Sequence, residues 1–468
     1  MVFSSSTFLF VFFPIVLVGY YLLHQRYRNI FLLLTSLGFY AFGEPQFVFI
    51  MLISIIINYL NALAIDKCKT KKRKKTWLVI GIILNLSLLV IFKYMNFISM
   101  NLKRFFQSIT ETSLALPIGI SFFTFQAMSY IIDVYRGEKV QKNPFNLGLY
   151  ISFFPQLVAG PIVRYKTIAY EIDNRKESWT DFSNGVVLFV NGLVKKIIFA
   201  NNMAIIADKA FTGDVIQHSI LFSWFGALAY ALQIYFDFSG YSDMALGLGK
   251  MFGFHFDKNF DYPYAAKSIT DFWRRWHISL GSWFRDYVYI PLGGSRGGKR
   301  DCIRNLFIVW LITGVWHGAN WTFVFWGIAY FVVIIFEKYV IKPERFEKSL
   351  LSWPYRIFIL LTVMFCWVIF RASSVTVAAC YIKSMFGLYK NPLIDDNWLW
   401  YSREYLFLLC CAILLSTPLV RMIIGFIKKK FNPIIYNMGR VVMYIFLFLV
   451  SVSYLVLGAH NPFIYFNF

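Results

Sequence analysis

The stretch Ile303–Val340 reads IRNLFIVWLITGVWHGANWTFVFWGIAYFVVIIFEKYV. As one helix it would be ~57 Å long, against the ~30 Å thickness of a bilayer's hydrocarbon core. The run must therefore break, and Gly314, Gly318 and Asn320 mark where. One imidazole, His317, sits at that break between two lengths of almost wholly apolar sequence. Ionisable groups inside membrane segments are costly, so they locate function better than surface pattern does.

Working outward, similar runs recur along the chain: Thr7–Leu23, Asn29–Gly43, Gln46–Ile65, Trp77–Ile98, Leu114–Ile132, Gly185–Ile206, Ser219–Phe238, Ile357–Phe370, Tyr405–Ile427 and Val441–Gly458. With shorter runs such as Leu147–Gly160 they predict an all-α polytopic membrane protein with about 11 or more transmembrane helices. Strands are excluded because an open sheet leaves unpaired backbone in lipid. The composition agrees. Of 468 residues 58% are hydrophobic and only 15% charged, where an ordinary globular domain has about 25% charged. A soluble protein of that balance would expose large apolar patches. Disorder and collagen-like repeats are excluded by the apolar content and the lack of a glycine period.

The formal net charge is nevertheless +22. Lys67–Lys75, KCKTKKRKK, places seven cations in nine residues directly after the third run. Such clusters stay cytoplasmic and contact anionic headgroups. Counting from it puts Arg26, Arg28, Arg136, Lys139 and Lys142 inside, with Lys103 and Arg104 as exceptions. Nucleic acid is not an expected partner, because the aromatics lie in spans and not on a basic face. The bilayer is. The six cysteines form no C-x-x-C and no Cys/His ligand spacing, so neither a disulfide nor a metal site is expected.

Two further stretches break the lipid rules. Ile151–Tyr165, ISFFPQLVAGPIVRY, carries Pro155, Gly160 and Pro161 and reads as bent or re-entrant. Thr270–Gly298 is TDFWRRWHISLGSWFRDYVYIPLGGSRGG. On a helical wheel Phe272, Trp273, Trp276, Leu280, Trp283, Phe284 and Tyr287 share one arc, with Asp271, Arg274, Arg275, Ser282, Arg285 and Asp286 opposite. That pattern predicts an amphipathic helix lying in the membrane interface. His277 borders the aromatic arc, as a structural histidine or a catalytic one. At His317 the alternatives are a core histidine bonding a freed carbonyl and a general base, since a desolvated imidazole stays neutral. His24, His218, His255 and His460 lie at segment ends or loops and read as structural. Neither GLGKMFG at Gly247–Gly253 nor GGSRGGK at Gly293–Lys299 is a nucleotide-binding motif in this context.

Beyond these features the chain resembles the membrane-bound O-acyltransferases, and within them the bacterial alginate O-acetyltransferase branch. The likeness is carried by the opening MVFSSSTFLFVFFPIVLVGYYL, by RYRNIFLLLTSLGFYAF, by FFPQLVAGPIVRY at Phe153–Tyr165, by YFDFSGYSDMALGLGKMFGF at Tyr235–Phe254, by DFWRRWHISLGSWFRDYVYIPLGGSR at Asp271–Arg296, and by the tail NPFIYFNF. It implies one polytopic domain over residues 1–468, its catalytic region at about 150–340, with re-entrant and interfacial helices around a funnel. The family's signature histidine matches His317, in VWHGANW, and the second signature position matches His277. The implied activity is acyl transfer, most simply of acetate, from a cytoplasmic thioester across the membrane to an exported polysaccharide. The donor is acetyl-CoA or an acyl carrier protein, and no cofactor is held permanently. An extracytoplasmic SGNH-type acetyltransferase is the expected partner, and the bacterial cytoplasmic (inner) membrane the expected location. On this reading Arg274 and Arg275 meet the donor's phosphates, with Lys299 and Arg300 nearby. Trp316 and Asn320 form pocket walls, and Asn320 donates to the oxyanion. The competing readings are D-alanyl transfer to teichoic acid and a lipid or polymer-precursor transporter using Asp133, Asp237 and Asp243.

Overall fold

The structure is a computed structural model and describes residues 2–158, 160–346, 349–458 and 464. His460 and most of the tail lie outside the described residues. Helix makes up 76% of the described residues, and no strand occurs among them, so backbone polar groups are satisfied within segments, as lipid requires. Eight helical runs among them are long and apolar enough to cross a bilayer: Val48–Lys67, Lys71–Lys103, Trp179–Phe211, Ile220–Met251, Trp321–Ile341, Ser352–Arg371, Asp396–Leu415 and Pro433–Val456. Other apolar stretches form shorter or more polar helices, such as Phe8–Leu22 and Gln25–Gly43.

The chain forms two compact units. One runs to Phe189 and takes in Tyr241–Lys258; the other comprises Val190–Gly240 and the chain from Asn259 onward. In the first, helices Val48–Lys67 and Lys71–Leu89 are joined by a reciprocal pair of buried amides. Asn58 Nδ2 donates to Asn85 Oδ1 at 3.1 Å, and Asn85 Nδ2 returns the bond to Asn58 Oδ1 at 2.8 Å. Polar side chains hold helices together where water offers no alternative partner. Helix Ile120–Arg136 starts after Gly119 (φ +76°) and stops at Gly137 (φ +113°), left-handed conformations that glycine adopts without strain. The Ile151–Tyr165 stretch is bent as its prolines predict. Helix Pro144–Ser152 ends at Phe153, and Phe154–Leu157 resumes for a single turn. The N–H of Phe154 freed at that bend donates to Ser36 Oγ at 3.1 Å.

In the second unit the Ile303–Val340 run breaks where its glycines stand. Helix Lys299–His317 ends, Gly318 is extended, and helix Trp321–Phe336 begins, N-capped by Asn320. The two helices pack as a hairpin. A Cβ on Gly314 would meet the carbonyl of Phe323, and one on Gly327 would lie 2.5 Å from the carbonyl of Trp310. Small residues at that crossing are what let the backbones approach.

The amphipathic helix expected around Thr270–Tyr287 is corrected by the structure. It is two helices of seven residues, Ile269–Arg275 and Ile278–Phe284, with His277 between them at φ 45°. A left-handed non-glycine residue costs roughly 1–2 kcal/mol, and local bonds offset it. The Ile278 N–H donates to the Asn259 carbonyl at 2.9 Å, and the Ser279 N–H to Asn259 Oδ1 at 3.1 Å. The aromatic arc does not face a lipid interface alone. Trp273 packs edge-on against Trp310, Trp326 and Tyr330, at ring-centroid distances of 4.9, 5.6 and 4.8 Å.

Candidate functional site

The site lies within the second unit and is built by the hairpin and the two short helices. His317 is the last residue of its helix, and its ring is boxed by three aromatic rings. Trp316, Trp326 and Phe370 stand at 5.1, 4.9 and 5.2 Å, each nearly perpendicular to it. The box leaves His317 half-buried, not fully buried as its flanking sequence suggests. The desolvated imidazole is His277, which is 4% exposed. Trp316 joins the two: its ring is 6.5 Å from that of His277 and next to that of His317.

The hydrogen bonds behind His277 fix its tautomer. The Ser279 backbone N–H identifies Asn259 Oδ1 as an acceptor, so the Ser279 hydroxyl, 2.9 Å away, must donate to it. The hydroxyl's one proton is then used, and in the 3.4 Å contact between Ser279 Oγ and His277 Nδ1 the imidazole is the donor. With Nδ1 as donor, Nε2 is the acceptor of the neutral ring. Neither short helix is among the spanning runs, and burial drives the His277 imidazole down to about 3. A base that weak accepts a proton poorly at neutral pH. His277 is suited to accepting a hydrogen bond, and His317 is the less buried of the two imidazoles.

Glu337, absent from the sequence-based candidates, fastens this arrangement. It is buried at the end of the hairpin and accepts from the Ile269 N–H, from the Thr270 N–H at 2.9 Å, from the Thr270 hydroxyl at 2.6 Å and from the Tyr355 hydroxyl at 2.6 Å. A carboxylate at a helix start satisfies orphan N–H groups and complements the dipole. The sequence signal was present, as a lone acid closing an apolar run. Trp326, Phe370, Ser279 and Asn259 were also missed, and nothing in their local sequence distinguishes them.

The remaining candidates fall as follows. Trp316 is buried between the two imidazoles. Asn320 caps the second hairpin helix, its Oδ1 accepting the Thr322 N–H at 3.1 Å while Nδ2 donates to the Ser373 carbonyl at 3.3 Å. Arg275 is tied to Asp271 at 2.9 Å and reaches the Asp261 carbonyl. Arg274, its neighbour, is exposed. The Trp326 indole N–H is fully buried and has no acceptor among the described residues, an orphan donor beside His317.

The described residues thus form a multi-pass helical membrane protein in which the rings of two histidines both neighbour that of one buried tryptophan. Residues 73–381 match the sequence profile of the membrane-bound O-acyltransferase family, a segment that contains both histidines. The chain is 43% identical over 415 residues to a protein of Pseudomonas syringae pv. tomato named a probable alginate O-acetylase, covering 85% of this chain and 77% of that protein. A Helicobacter pylori protein named peptidoglycan O-acetyltransferase is 36% identical, covering 83% of this chain and 80% of that one. A Bacillus subtilis teichoic acid D-alanyltransferase is 30% identical over 54% of this chain and 67% of its own length. The chain belongs to the membrane-bound O-acyltransferase family and is an acyltransferase.

Proposed function

We propose that this protein takes an acetyl group from a cytoplasmic thioester, acetyl-CoA or an acyl carrier protein, and passes it across the bacterial cytoplasmic membrane for O-acetylation of an exported polysaccharide. The observation that carries the reading is the placement of His317 and His277 on either side of Trp316. The names of the relatives with the greater coverage support acetate over D-alanine. The chain crosses the membrane about 11 or more times, the shorter helices adding to the eight long ones.

In this mechanism His317 removes the proton of the acceptor hydroxyl as its oxygen attacks the acyl carbon. The C–S bond breaks, and the thiolate leaves with the electron pair and is protonated in turn. His277, neutral, holds the reacting groups through Nε2. The orphan Trp326 N–H and the Asn320 amide supply hydrogen bonds to the carbonyl oxygen as charge develops on it. Arg274, on the exposed side of its helix, meets the donor's phosphates, and Arg275 positions that helix. No cofactor is held between turnovers. An SGNH-type transferase outside the membrane completes delivery. A transporter role through Asp237 would require that carboxylate to part from Lys196, with which it is paired at 2.7 Å.

The test is the His317→Ala protein at matched membrane abundance, supplied with labelled acetyl-CoA, with NMR of the surface polysaccharide. General-base loss is expected to lower transfer by about 10²–10⁴-fold, and His277→Ala by less. Unchanged acetylation in His317→Ala defeats the mechanism, and alanine esters in place of acetate redirect it to D-alanyl transfer.

A further inference from the structure

The first unit contains a polar cavity of about 280 Å³ that the acyl-transfer chemistry does not use. It is walled by the start of helix Gln25–Gly43, by the start of helix Pro144–Ser152 and by the chain leaving helix Tyr165–Asn174. Three guanidinium groups line it, those of Arg26, Arg28 and Arg175, against the two carboxylates of Asp173 and Glu177. The charge is therefore unbalanced toward the cation.

Both carboxylates have partners, although Asp173 has no ion pair among the described residues. Glu177 pairs with Arg28 at 2.8 Å and accepts the Tyr20 hydroxyl. Asp173 accepts from Asn146 Nδ2 at 2.8 Å. The guanidinium groups are held rigidly but not exhausted. Arg175 donates from Nε to the Tyr20 hydroxyl at 2.9 Å and from Nη1 to Asn29 Oδ1, and its plane lies 4.7 Å from the Phe254 ring centre. Its side chain is 7% exposed. Arg28 donates from Nε to the Leu23 carbonyl at 3.2 Å and spends Nη1 on Glu177. Neither residue's Nη2 has an acceptor among the described residues, and Arg26 carries no ion pair among them. Two locked guanidinium groups reaching one cavity, Arg28 from a helix and Arg175 from the chain that leaves another, suit an oxyanion that accepts from several directions, and the carboxamides of Gln25 and Asn143 on the same wall add neutral donors.

We infer that this cavity is a binding site for a phosphate ester, anchored by Arg28 and Arg175 with Arg26 at the rim. The ester group belongs to a soluble molecule or to the headgroup of an anionic phospholipid. Charge counting places Arg26 and Arg28 on the cytoplasmic side, where both sources are found. The site is independent of the two histidines, so its test reads binding and not acetylation.

The full chain is reconstituted in nanodiscs of phosphatidylcholine and titrated with inorganic phosphate and with coenzyme A. A parallel set contains phosphatidylglycerol. Apparent unfolding temperature and native mass spectrometry report occupancy. Gln25→Glu is the decisive variant, because an exposed first-turn acid is compatible with the helix yet places a carboxylate in the cavity wall. It is expected to weaken binding about tenfold or more, and Arg26→Gln to weaken it less. Stabilisation by phosphate or coenzyme A that Gln25→Glu abolishes identifies a soluble ester. Retained phosphatidylglycerol that Gln25→Glu releases identifies a lipid headgroup. No stabilisation by phosphate or phosphatidylglycerol, or the same stabilisation by them in Gln25→Glu, overturns the inference; coenzyme A, which the proposed donor site also takes, counts only through the part that Gln25→Glu removes.

Discussion

At the scale of single residues the two histidines differ through their surroundings. His277 is desolvated in a left-handed link, with Ser279 and Asn259 fixing Nδ1 as the protonated nitrogen. Its imidazole titrates at about 3 in the fold and near 6.5 when unfolded. Between those values the unfolded chain binds the extra proton, so stability rises with pH. The contribution is complete above about pH 6.5 and is lost as pH falls from there toward 3. Up to ~1.4 kcal/mol is lost per pH unit within that window. The unfolding temperature in detergent is expected to drop on acidification from pH 7 to 5, and His277→Gln, which cannot charge, to drop less. Equal slopes for the two proteins would show that His277 is not held neutral. The sequence located both histidines, through the cost of a polar group in apolar surroundings. It did not reveal which one is the more deeply buried, because that depends on Phe260 and Trp316, which approach from other parts of the chain.

At the scale of elements, what was legible follows from what is local. The hairpin break between His317 and Trp321 was readable because Gly314, Gly318 and Asn320 are themselves breakers and caps. The break at His277 was not, since no glycine or proline marks it and the wheel arcs run straight through. It exists because Asn259, outside both short helices, accepts the Ile278 and Ser279 N–H groups freed at the break, while Glu337 holds the N–H groups at the start of the first short helix. Glu337 is therefore expected to matter as a positioning residue. Glu337→Gln replaces one acceptor oxygen by a donor facing the Ile269 and Thr270 N–H groups or the Tyr355 hydroxyl. A stability loss of roughly 1–3 kcal/mol is expected from the bonds left unmade, read as a lower unfolding temperature. Transfer activity is expected to fall although both histidines remain, with Glu337→Asp restoring part of it. Full activity in Glu337→Gln would mean that the short helices hold their place without this fastening.

At the scale of the whole molecule the excess of cations acquires two meanings. The run Lys71–Lys75 begins a helix, the end at which the dipole disfavours positive charge. Its value is therefore headgroup contact and orientation, not helix stability. Lys196 is different, a cation inside the second unit and 3% exposed, paired with Asp237 at 2.7 Å. The other oxygen of Asp237 accepts the N–H of Ile464 at 2.9 Å, so one carboxylate joins an interior lysine to the end of the chain. Removing one member of a buried pair leaves an uncompensated charge, at about 3–5 kcal/mol, whereas replacing both by apolar groups is often nearly neutral. Asp237→Leu and Lys196→Met are each expected to destabilise strongly, and the double substitution to recover most of that loss. The shortfall should be about 1–3 kcal/mol, from the Ile464 N–H left without its acceptor. With the chain removed from residue 461 onward, the double substitution should be nearly neutral against the equally truncated parent, because the orphaned N–H is then gone. A double variant as unstable as the sum of the singles would mean that the lysine and the aspartate act apart, and that the tail is held by something else.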